Sequence, residues 1–161
     1  MHTSFIHLTN YSLNKSNPNF IYNTSAEHMD VGHKRTLSST YTYLAKRGHD
    51  VDKLKTQIND LIIKTVIAGL PTIAHQYQGC QPEEYEGNMC FHILGVDVML
   101  TTDLKPHLIE INHTPSFETS TPLDYKIKKA LIMDTLKLMR ITTKKKKELF
   151  EKAKTLLKKR I

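Results

Sequence analysis

Apolar positions recur along this chain in two rhythms, one helical and one strand-like. Leu37, Tyr41 and Leu44 fall at helical spacing and Gly48 supplies a stop, which predicts a helix over Lys34–Arg47. Asp50 is a good N-cap for a second helix, in which Leu54, Ile58, Leu61, Ile62 and Thr65-Val66 form one apolar stripe. Gly69 and Pro71 are expected to break or kink that helix near its end, with residues 78–88 forming a polar loop. Residues 90–100 (CFHILGVDVML) are apolar and β-branched, and residues 106–112 (PHLIEIN) follow after Thr101-Thr102-Asp103. This pattern predicts two antiparallel strands joined by a short turn. Leu123–Met139 reads as a helix with Ile127, Leu131 and Leu138 as core contacts. A last helix is predicted over Lys144–Lys159, with Thr143 as its cap and Leu149, Ala153 and Leu156 on one side. Near the start, Phe5–Leu8 reads as a short strand. Asn14–Gly32 reads as a polar surface loop, long enough to suggest function or disorder.

Composition narrows the class. The chain has 161 residues, of which 42 are Leu, Ile, Val or Phe, enough apolar mass to expect a buried core. No apolar run approaches the ~20 residues of a membrane span. The opening MHTSFIHLTNYSLNK lacks the basic and apolar regions of a signal peptide. Cys80 and Cys90 are too few for a disulfide framework or a four-thiolate zinc site, and read as small core or loop residues of a reduced, cytosolic protein. Charge is divided unevenly. Residues 1–125 hold 9 Lys/Arg and 13 Asp/Glu, whereas residues 126–161 hold 14 Lys/Arg and 3 Asp/Glu. A mildly acidic body thus carries a basic C-terminal segment suited to a polyanion: nucleic acid, anionic lipid or an acidic protein surface.

The candidate chemistry lies in the predicted hairpin. A turn centred between Asp103 and Leu104 sets Asp97 opposite Glu110, with Asn112 two residues on and on the same face as Glu110. Like charges directly opposite are destabilising, and charges inside apolar strands are costly unless paired or metal-bound. Two carboxylates and an amide oxygen are hard ligands of the kind Mg²⁺ takes beside substrate phosphates. From the pattern alone, a divalent-cation site and a hydrated strand edge are both open. A one-residue slip would turn the side chains to opposite faces.

Here the chain resembles a known family. Cys90–Pro122 (CFHILGVDVMLTTDLKPHLIEINHTPSFETSTP) is similar to the C-terminal part of the tubulin tyrosine ligase-like family, ATP-grasp ligases that join amino acids to tubulin tails. His7–Lys15 (HLTNYSLNK), His33–Ser39 (HKRTLSS) and Asp60–Thr65 (DLIIKT) agree in family order, and HKRTLSS with its flanking helices looks most like the polyglutamylase branch. The resemblance implies an α+β chain, the C-terminal lobe of an ATP-grasp fold whose hairpin carries metal ligands and is packed by helices. It implies that Asp97, Glu110 and Asn112 hold Mg²⁺, that Thr9 and Asn10 lie at the ATP nucleotide, and that Tyr11, Ser12, Lys34 and Asn112 meet the incoming amino acid. Lys34 suits that place, because free glutamate brings carboxylates that need a cation. His113 borders the site without a catalytic role, and His92 reads as structural. Two neighbours of ligands depart from the family pattern: Val96, where an aromatic is common, and His107, where a Trp is common.

The same resemblance divides the chain into residues 1–140, the C-terminal portion of the catalytic domain, and residues 141–161, a basic helical tail at the start of a microtubule-binding region. Upstream of HLTNYS the family carries a smaller N-terminal domain and a central lobe with phosphate-holding basic residues. The six glycines here are scattered and form no phosphate loop. The implied function is ATP-dependent ligation of free glutamate to glutamate side chains of tubulin tails. The alternative is a non-catalytic tubulin- or microtubule-binding module derived from that family, and the chain itself reads as a fragment, a partial gene model or a degenerate member. The lysines of residues 144–147 oppose the macrodipole of their own helix, which favours an acidic partner over a purely stabilising role. Nucleic acid is the weaker partner, since only Phe150 interleaves with those lysines. The implied setting is the cytoplasm and cytoskeleton, including a cilium or basal body, with no membrane contact.

Overall fold

A computed structural model of the chain describes residue 5 and residues 10–25, 27–28, 30–82, 90–139 and 142–159. The predicted strand Phe5–Leu8 lies outside these apart from Phe5, which is helical; Thr9 and the side chains of Leu149, Ala153 and Leu156 also lie outside them. The elements in order are α1 (Tyr11–Asn14), α2 (Leu37–Lys46), α3 (Val51–Cys80), β1 (Gly95–Leu100), β2 (Pro106–Asn112), α4 (Pro122–Leu138) and α5 (Thr143–Lys159). The described residues are therefore a mixture of helices with one small antiparallel sheet. Among the described residues no helix is long and apolar enough to cross a membrane. The elements group into two units, Met1–Thr36 with Glu118–Ile161, and Leu37–Phe117.

In the second unit, α2 starts at Leu37, three residues later than the periodicity predicts, and ends just before Gly48, which takes φ +83°. Asp50 caps α3 as expected, its side chain accepting from the Lys53 N–H at 2.9 Å. Helix α3 then runs 30 residues, through Gly69 and Pro71 to Cys80. Of the expected break or kink, the break does not occur: the helix continues beyond Pro71, which supplies no N–H donor of its own. Residues 78–80, expected in a loop, are its last turn, so the exposed Cys80 is no core residue. Cys90 is exposed as well. Helix α3 packs on α2 and on β2.

The hairpin is shorter on one side than the sequence suggests. Residues 90–94 have no regular structure, and β1 begins only at Gly95. Strand β2 matches its predicted span, Pro106–Asn112. The loop closes between Thr101, whose N–H donates to the Lys105 carbonyl at 3.1 Å, and Lys105. Leu104 in that loop takes φ +61°, a left-handed conformation usually left to glycine or asparagine. The Thr101 hydroxyl donates to the Asp103 carboxylate and, with a backbone N–H, holds that carboxyl below its ordinary range.

In the first unit, the long polar segment after α1 is ordered by its own contacts. The Ile21 N–H donates to His33 Nδ1 at 3.0 Å, and the His33 N–H donates to the Ile21 carbonyl at 3.0 Å. Phe20 stacks on His33 and meets Tyr11 and Tyr22 edge-on. Asn23, only 3% exposed, donates to the His28 carbonyl and accepts from the Ser25 N–H. Gly32 sits at φ +85°, and a Cβ there would stand 2.8 Å from the Ile21 carbonyl oxygen. Helix α4 is capped by Thr121, whose hydroxyl accepts from the Asp124 N–H. Thr143 is the first helical residue of α5, one position inside the cap expected of it.

Burial falls well short of the expectation from composition. Among the described residues the buried hydrophobics are Leu54, in the second unit, and Leu123, in the first. Leu37, Val66, Ile127, Leu131 and Leu138, expected on packed faces, are exposed. Periodicity reports which face of a helix is apolar, and nothing about whether a neighbour covers it.

Candidate functional site

The hairpin brings the two predicted carboxylates together. Gly95 pairs with Asn112, Val96 with Ile111 and Asp97 with Glu110. Beyond Asp97 the register shifts by one, so that Val98 pairs with Leu108, Met99 with His107 and Leu100 with Pro106. Ile109 is the extra residue of a β-bulge. The turn itself lies half a residue earlier than predicted, and the bulge offsets that error. Without it, the register of the turn would set Asp97 opposite Ile109 and point Glu110 to the other face. The bulge also reconciles the apolar face: Val96, Val98 and Leu100 are half-buried, with Pro106 on the near side of the bulge and Ile111 on the far side. The adjacent Leu108-Ile109, which break the alternation of β2, were the sequence sign of it.

Asp97 and Glu110 are exposed, not enclosed by apolar side chains as their strands suggested. Partial desolvation, a hydrogen bond with Glu110 and the Glu110 charge hold the Asp97 carboxyl above its ordinary range. The Asn112 amide donates to Glu110 Oε1 at 3.1 Å. Gly95, across from Asn112, leaves room for the loop that follows β2: a Cβ there would stand 3.2 Å from Pro115 Cβ and 3.4 Å from Asn112 Cβ. His92 Nε2 lies 2.6 Å from the His113 carbonyl oxygen and ties down the residue after Asn112. The set is therefore two like charges and an amide on one face, backed by a glycine and a pinned loop. Among the described residues no group of three or more His, Cys, Asp or Glu gathers anywhere. A donor set of two carboxylates and one amide leaves several coordination positions for water or phosphate oxygens, the habit of Mg²⁺ rather than of a fully protein-enclosed ion.

Of the residues expected at nucleotide and amino acid, Asn10, Tyr11, Ser12 and Lys34 lie in the first unit, and Asn112 lies in the second. Asn10 precedes α1, and its side-chain amide donates to the Ser12 hydroxyl at 2.7 Å. Lys34 Nζ stands 4.4 Å from the centre of the Tyr11 ring, a cation–π contact. It also pairs with Asp124 Oδ1 at 2.7 Å. Asp124 was not singled out in the sequence. Its local signature, Thr121 followed three residues later by an acid at a helix start, is a capping pattern and was legible. Its pairing with Lys34 is a contact between distant segments, which no local pattern encodes. Burial alone would raise the Asp124 carboxyl; the Lys34 ammonium and the Thr121 hydroxyl more than offset this and hold it below its ordinary range.

Comparison with known proteins places these features in context. The chain is 53% identical over 156 residues to a "Probable beta-tubulin polyglutamylase" of Tetrahymena thermophila, covering 97% of this chain and 13% of that protein. It is 42% identical over 156 residues to "Tubulin polyglutamylase ttll6" of Danio rerio, covering 97% of this chain and 19% of that protein. It is 40% identical over 152 residues to "Tubulin polyglutamylase TTLL7" of Mus musculus, covering 93% and 16% respectively. The chain thus spans less than a fifth of the length of these relatives, which accords with how few of its apolar side chains are buried. Residues 1–149 match the tubulin-tyrosine ligase family, and the chain belongs to that family.

Proposed function

We propose that this chain is the C-terminal portion of an ATP-dependent ligase that joins free glutamate to glutamate side chains of tubulin tails. The observation that carries the reading is the opposition of Asp97 and Glu110, with Asn112 beside them, on a hairpin backed by Gly95. Family membership and the polyglutamylase names of the relatives support the choice of amino acid and acceptor. Asp97, Glu110 and Asn112 would hold Mg²⁺, which supplies charge neutralisation at ATP phosphate oxygens. Thr9 and Asn10 stand for the nucleotide side. Tyr11, Ser12 and Lys34, with Asn112, stand for the amino-acid side, where the Lys34 ammonium answers a glutamate carboxylate.

The reaction is a two-step amide synthesis. An acceptor γ-carboxylate oxygen takes the terminal phosphoryl group of ATP, releasing ADP. The amine of free glutamate then attacks the acyl carbon, loses a proton and displaces phosphate, leaving an isopeptide bond. In this scheme no side chain of this chain needs to act as a covalent nucleophile; its residues bind, orient and balance charge. In the same reading, residues 1–140 form part of the catalytic domain, and residues 141–161 begin a basic surface for the acidic tubulin tails of the cytoskeleton, in the cytoplasm or in a cilium.

A second reading, a non-catalytic tubulin-binding module, is favoured by one observation: only Leu54 and Leu123 are buried hydrophobics among the described residues, as in one lobe without its partner. Labelled-glutamate incorporation into microtubules, with Mg-ATP, separates the two. Incorporation that disappears in Glu110→Gln supports the ligase. A folded chain that pellets with microtubules, loses that binding when their acidic tails are removed, and incorporates nothing supports the module.

A further inference from the structure

Asp124 is among the few buried polar residues described, 5% exposed, and both of its carboxylate oxygens are engaged. Oδ1 meets Lys34 Nζ at 2.7 Å, and Oδ2 accepts from the Thr121 hydroxyl at 2.9 Å. Its backbone N–H donates to the same Thr121 hydroxyl, and it sits in the first turn of α4, where the helix dipole favours a negative charge. The carboxylate is therefore fixed from several sides. Lys34 is not sealed in the same way. Its side chain is 38% exposed against 7% for Asp124, and its ammonium lies over the Tyr11 ring, itself 39% exposed. An ammonium has three N–H donors, and among the described residues Asp124 is its one hydrogen-bonding partner.

Here the anion is enclosed and the cation is presented. A free lysine side chain loses rotamer freedom when it binds a ligand, and an ion pair made in advance removes that loss before any ligand arrives. We propose that Asp124 is a positioning residue for Lys34, holding the ammonium against the Tyr11 ring so that its remaining donors face the carboxylate of an incoming amino acid. This inference rests on the reading of Lys34 as an amino-acid contact.

The test is titration of the 161-residue chain with L-glutamate, followed by calorimetry and by the ¹⁵Nζ signal of Lys34, with melting temperature recorded for each variant. Wild type is expected to bind, with the Lys34 signal shifting, and Lys34→Met to lose binding. Asp124→Asn is expected to raise the glutamate Kd at least about tenfold while the protein stays folded, and to broaden the Lys34 signal as the unpaired ammonium exchanges its protons faster with water. A purely structural pair would lower the melting temperature and leave the Kd of the folded fraction alone. Should Asp124→Asn not fold, Asp124→Glu keeps the charge and displaces it by one methylene; a Kd raised by about fivefold or more is then expected. Glutamate affinity unchanged or tighter in the folded Asp124 variant, beside a loss in Lys34→Met, overturns the positioning role alone. No binding by wild type, or undiminished binding by Lys34→Met, overturns the amino-acid reading and this inference with it.

Discussion

Asp97 faces Glu110 across the hairpin because Ile109 is an extra residue in β2. The bulge moves Glu110 and Asn112 onto the face of Asp97 while keeping Ile111 on the half-buried face with Val96. Bulges raise local twist and re-aim side chains, and they recur beside functional sites. The relationship predicts an asymmetry between two neighbouring isoleucines. Ile109 is 56% exposed and Ile111 is half-buried opposite Val96. Ile109→Thr is expected to change stability by less than about 0.5 kcal/mol. Ile111→Ala is expected to cost about 1–2 kcal/mol, less than a full core truncation because the site is only half-buried. Urea unfolding of both variants checks this, and equal costs would mean the register is wrong.

Gly32 carries the second prediction. Its φ of +85° is unfavourable for other residues, and a Cβ would meet the Ile21 carbonyl oxygen at 2.8 Å. Gly32→Ala should therefore destabilise by about 1–3 kcal/mol. It should also release the two hydrogen bonds between Ile21 and His33, seen as faster hydrogen exchange at the Ile21 and His33 amides. Leu104 is the opposite case. It bears a side chain at φ +61°, so Leu104→Gly should be neutral or stabilising by up to about 1 kcal/mol in the same unfolding assay.

Asp124 predicts a pH dependence. Its carboxyl is held below the ordinary range in the folded state, so the unfolded state binds its proton more readily. The sign follows: the stabilisation is fully present above the unfolded value of about 3.9 and is lost as pH falls through the lower folded value. Unfolding curves for wild type and Asp124→Asn should differ at pH 6 and converge as the pH drops below about 4. A gap that stays constant through that window would contradict the ion pair with Lys34.

Much of the secondary structure was legible because it rests on local chemistry. Asp50 caps α3 as its position suggests, and β2 spans the residues that its pattern marks. The pairing of Asp97 with Glu110 was also legible, but through two departures that offset each other, a turn half a residue early and a bulge at Ile109. Continuation of α3 through Pro71 was not legible, since proline is locally unfavourable inside a helix and its tolerance depends on the rest of the 30-residue element. Nor was the exposure of Ile127, Leu131 and Leu138, because an apolar stripe is a property of one helix and its burial a property of what lies beside it. The Lys34–Asp124 pair joins segments far apart in sequence and has no local trace on the lysine side.

The most direct test of the account is Mn²⁺ titration of the ¹⁵N-labelled chain, using paramagnetic broadening of amide signals and competition with Mg²⁺. The account predicts that amides around Asp97 and from Glu110 to Asn112 broaden first. It predicts recovery on adding excess Mg²⁺, and loss of the effect in Asp97→Asn combined with Glu110→Gln. Broadening that spares the hairpin, or that persists unchanged in the double variant, would contradict a cation site at these carboxylates.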